Sequence, residues 1–73
     1  MKDIDRAVEL LQPLLNGLAE GRSETVDIYG VTDTVRGNLI IVRINSAQYE
    51  VNVTAENVRS MVRSVVNGVA LKL

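Results

Sequence analysis

The stretch Leu39-Ile40-Ile41-Val42-Arg43-Ile44-Asn45-Ser46-Ala47-Gln48-Tyr49-Glu50-Val51-Asn52-Val53 decides the fold of this 73-residue chain. Its first six residues are aliphatic except Arg43, and mostly β-branched, as a half-buried strand requires. Gln48 to Val53 alternates polar and apolar with period two. Between them, Asn45-Ser46 suits a two-residue hairpin. That hairpin sets Val42 opposite Tyr49 and Ile40 opposite Val51, so both strands turn their large apolar residues to one face. A slip of one residue would put Tyr49, Val51 and Val53 in water, which pins the register.

Toward the N-terminus, Ser23-Glu24-Thr25-Val26-Asp27-Ile28-Tyr29 alternates in the same way and predicts a further strand. Gly30 and a looser stretch through Thr32-Asp33-Thr34 follow it, and Arg36-Gly37-Asn38 signals a turn. Residues 3 to 20 carry the helical period. Ile4, Ala7, Val8, Leu10, Leu11, Leu14, Leu15 and Leu18 share one half of the cylinder, with Asp5, Arg6, Glu9, Gln12, Asn16 and Glu20 on the other. Asp3 is the expected N-cap and Gly21 the expected stop. Pro13 falls in the middle of the polar arc, which predicts one bent helix with its apolar face intact; two short helices are the alternative.

Toward the C-terminus, Thr54 is the expected N-cap of a second helix running to Asn67. Ala55, Val58, Met61, Val62, Val65, Val66 and Val69 form its apolar arc. Asn67-Gly68 ends it, and Val69 to Leu73 alternates weakly enough to dock as a short strand. The expected architecture is α+β: helix, three-stranded antiparallel meander, helix (αβββα). Residues 1-73 form a single small domain, with both helices packed on one sheet face.

Composition narrows the function classes. Of the 73 residues 47% are hydrophobic, carried by twelve valines, eight leucines and five isoleucines, with Tyr29 and Tyr49 as the only aromatics. So much aliphatic surface in so short a chain predicts that part of it closes an oligomer interface. The net charge of −1 is spread along the chain, unlike a polyanion-binding surface. The start Met1-Lys2-Asp3-Ile4-Asp5-Arg6 lacks the basic and apolar stretches of a signal peptide, and no apolar run approaches the ~20 residues of a membrane helix. The cytoplasm is the expected location.

The chain has no histidine and no cysteine, which removes thiol nucleophiles, the familiar triads and zinc sites. The acid pairs Glu24/Asp27 and Asp3/Asp5 read as solvated surface. The glycines lack the spacing and the following Lys-Ser or Lys-Thr of a phosphate loop. The chain is therefore expected to be non-enzymatic, with no catalytic residue, cofactor or metal.

The sheet face away from the helices is the candidate interface. It carries Leu39, Ile41 and Tyr29, rimmed by Arg43, Glu50 and Asn52, with Arg43 diagonal to Glu50 for a cross-strand ion pair. A partly exposed sheet with isolated apolar residues is the plainer alternative. The leading expectation is a homodimer joined through this face or through an edge strand, acting as an assembly module that binds another protein. A second expectation is nucleic-acid binding through the surface arginines Arg36, Arg43 and Arg63. The helix–strands–helix order also resembles that of small bacteriophage head–tail joining proteins; the likeness is one of element order, and implies a structural role.

Overall fold

The computed structural model describes residues 2–72 and has the expected order. Helix α1 is Asp3–Leu18, strands β1, β2 and β3 are Val26–Asp33, Gly37–Ile44 and Ala47–Asn52, and helix α2 is Val58–Val69. A short 3₁₀ turn, Ala70–Lys72, follows. The strands form one antiparallel sheet in the order β1-β2-β3.

The register is the one the hairpin dictates, with Val42 opposite Tyr49 and Ile40 opposite Val51. Asn45 takes a positive φ of 55° in the turn; a positive φ at the first of two central residues is the II′ pattern, which suits the twist of the strands. Its side chain also accepts the Thr25 N–H at 3.0 Å, while its own N–H bonds the Thr25 carbonyl at 2.9 Å. One asparagine thus closes the hairpin and aligns β1 beside it.

The core lies on one side of this sheet. Ile28, Ile40, Val42, Ile44 and Val53 cluster with Ile4, Ala7, Leu11 and Leu15 of α1 and Met61, Val65 and Val69 of α2. Gly30 belongs to this layer, because a β-carbon there would lie 2.9 Å from Cγ1 of Ile4. The strand therefore runs through Gly30 to Asp33 instead of ending at Tyr29: the missing side chain lets α1 approach.

Other boundaries moved for similar local reasons. Helix α1 is continuous through Pro13, whose absent N–H would have served the solvent-side carbonyl of Glu9. Its N-cap is Lys2, without a side-chain bond, and Asp3 stands in the first turn, where a carboxylate favours the helix dipole. The helix stops at Leu18, ahead of Gly21, which takes φ 82° in the following turn. Thr54 does not cap α2. Its hydroxyl accepts the Asn38 N–H at 3.0 Å, and Ala55 leaves the apolar arc at φ 63°. Asn57 caps instead, accepting from the Ser60 N–H at 2.8 Å. The helix also runs past Asn67-Gly68 to Val69, and Ala70–Lys72 forms a 3₁₀ turn, so the tail does not take the short strand left open to it; Leu73 lies outside the described residues.

Candidate interaction surfaces

The far face of the sheet is built in cross-strand rows. Tyr29, Ile41 and Glu50 form one, and Val31, Leu39 and Asn52 the next. Leu39 and Ile41, on the central strand, are only 3% and 4% exposed. Tyr29 and Val31 of β1 and Glu50 and Asn52 of β3 flank them in these rows. Arg36 sits at the end of the β1–β2 turn, and its Nη1 reaches Oε2 of Glu50 at 2.7 Å. To arrive opposite Ile41 the side chain must pass the level of Leu39. The candidate interface residues Tyr29, Leu39, Ile41, Arg43 and Glu50 do share this face, but its two aliphatics are already buried. Replacing Ile41 with aspartate there would damage the monomer before any interface.

The ion pairing also differs from expectation. Glu50 pairs with Arg36, and Arg43 bonds the amide oxygen of Gln48 at 3.4 Å across the strands. The turn supplies the stronger partner because its backbone is held from three sides. Asn52 donates to the Arg36 carbonyl at 2.8 Å, and Oδ1 of Asp33 accepts the N–H groups of Val35 and Arg36 at 2.7 and 2.8 Å. The bond from the Arg36 backbone and then that from Val35, with the guanidinium close by, hold the Asp33 carboxyl below its usual range. The bond to Glu50 holds Arg36 more firmly protonated.

A folded carboxyl with a lowered pKa adds stability above its unfolded value of about 3.9 and loses it as the pH falls through the lower folded value. The wild type should therefore exceed Asp33→Asn in stability by a constant margin above about pH 5, a margin that shrinks below about pH 4. Urea melts of both proteins from pH 7 to pH 2.5 measure it, and a margin independent of pH would show that the charge on Asp33 does not hold this turn.

The arginine set converges only in part. Arg36 and Arg43 share the far face, where they bond Glu50 and Gln48, two residues apart on β3, while Arg63 belongs to α2 in the helix layer. Among the described residues no pocket opens and no three acidic side chains gather. No helix there is long and apolar enough to cross a membrane.

Two further surfaces stand out: one that the sequence does not flag, and a strand edge that it names without placing. On α1, Leu10, Leu14 and Leu18 remain 42%, 45% and 46% exposed. They form an i, i+4, i+8 strip on the flank away from Gln12, whose amide reaches the Val26 carbonyl at 3.2 Å. The signal was the breadth of the apolar arc, about 160° at 100° per residue, which exceeds the face one sheet can cover.

The second surface is the free edge of β1. The bonds from Asn45 to the Thr25 carbonyl and from Val53 to the Asn38 carbonyl set the alternation of the ladders. Asp27, Tyr29, Val31 and Asp33 bond to β2, so Val26, Ile28, Gly30 and Thr32 turn their backbone groups outward. Among the described residues only the Val26 carbonyl finds a side-chain partner there, Gln12. The edge runs eight residues without a proline, a lysine or a bulge, and its charged residues are Asp27 and Asp33, which bond to β2. Beside it stands Tyr29, 39% exposed. No family model, no curated protein and no solved structure matches this chain.

Proposed function

We propose that this chain is a non-enzymatic interaction module of the cytoplasm that works as a homo-oligomer and binds another protein. The open edge of β1 carries the reading. A row of unpaired backbone donors and acceptors in an extended strand is a template for a further strand. The leucine strip on α1 supports the same role from a second surface, since a small domain rarely leaves three adjacent leucines half in water.

The magnitudes set the working range. A strand pair of up to about eight backbone bonds at about 1 kcal/mol net each, with one aromatic pair, sits near the ~4–15 kcal/mol cost of association. Association should therefore be weak, and measurements must reach several hundred micromolar. Light scattering across a dilution series should give twice the 8.0 kDa chain mass at the concentrated end. Thr32→Pro removes one outward N–H and leaves the β1–β2 ladder bonds in place, so it should return the mass to 8.0 kDa with the circular dichroism of the wild type. A wild type that stays monomeric at every concentration overturns the reading.

A further inference from the structure

We infer that the partner at the β1 edge is a second copy of this chain, paired antiparallel so that Tyr29 lies directly opposite Tyr29 of that copy; this rests on the homo-oligomer reading above. The ladder alternation restricts the registers available to a two-fold contact. Outward-facing residues must meet outward-facing residues, and Val26, Ile28, Gly30 and Thr32 are the set. Any register centred on one residue satisfies that rule, and those on Ile28, Tyr29, Gly30 and Val31 pair at least five residues, the one on Val31 pairing only 29 to 33.

Centring on Gly30 sets Asp27 against Asp33 of the second copy, and the symmetry repeats that like-charge contact. Centring on Ile28 pairs only residues 26 to 30 and leaves Thr32 unused. Centring on Tyr29 pairs Val26 with Thr32 and Ile28 with Gly30, a seven-residue overlap. In that register Asp27 faces Val31 and keeps its own cross-strand neighbour Arg43, and no two acids are directly opposed. The large Ile28 side chain falls beside glycine on the helix side. On the far side the half-exposed tyrosine meets its own copy in a non-hydrogen-bonded pair, where side chains approach most closely. Two three-stranded sheets then become one of six.

The chain has no cysteine, so single-cysteine variants report the register without background. Directly opposed residues bring their β-carbons to about 4.5–5.5 Å, close to disulfide reach. Under mild oxidation at several hundred micromolar, Tyr29→Cys should form a covalent dimer at least tenfold faster than Val35→Cys, which lies in the turn and is 91% exposed. Asp27→Cys and Val31→Cys should not link alone, but should link when mixed. A dimer by light scattering in which Asp27→Cys links to itself, or the mixture fails to link, overturns the register and leaves self-association standing. A monomer by light scattering overturns both.

Discussion

Replacing Leu11 with alanine should cost about 3–4 kcal/mol of stability. Leu11 is fully buried at the centre of the α1 face, in one cluster with Ile28, Ile40, Val42 and Val65. Truncation removes its transfer free energy and leaves a cavity that rigid strands on one side cannot close. For a domain of this size that loss lowers the melting temperature by roughly 15–25 °C. The adjacent residue supplies the control. Leu10→Ala removes the same atoms from a side chain 42% exposed, and should cost only about 1 kcal/mol. Thermal melts of the two variants measure the contrast. Equal losses would mean that the leucine strip is packed as tightly as the core, and would withdraw it from the set of interaction surfaces.

Gly37→Ala should cost about 2–4 kcal/mol, although no buried apolar contact is lost. Gly37 takes φ 88° at the start of β2, a region that a β-carbon disfavours by about 1–2 kcal/mol. That carbon would also collide with the Thr54 hydroxyl, which accepts the Asn38 N–H. Backbone strain and a displaced hydrogen bond thus act together. A second variant, Thr54→Ala, separates them: it opens the space but keeps the strained φ. The double variant should recover the collision part of the loss and none of the strain. Urea midpoints give both numbers, and a Gly37→Ala protein as stable as the wild type would show that the turn relaxes freely.

Much of the fold was legible because short-range chemistry and burial agreed. The hairpin register followed from the alternation of Gln48 to Val53 against Leu39 to Ile44 and from a turn that Asn45 can enter. Both helices followed from their periods, and Pro13 was tolerable because its missing donor faced water. The boundaries that moved depended on partners far along the chain. Thr54 looks like a cap by sequence, yet its hydroxyl is drawn to Asn38, sixteen residues away. Gly30 looks like a strand end, yet it is the point where Ile4 presses against β1.

The candidate face shows the same division. Which residues share it was readable from period two alone. Whether Leu39 and Ile41 were open to solvent was not, because that depends on the strands set on either side of them in the sheet.

The sequence by itself determined the α+β class, the order of elements, the hairpin register and the absence of histidine and cysteine chemistry. These follow from periodicity and composition, which act between near neighbours. Only the tertiary structure decided which apolar residues stay in water and which strand edge stays open. A leucine on an amphipathic helix reads the same whether the sheet below reaches it or not, and Leu10 and Leu11 differ only in what the rest of the chain places beside them.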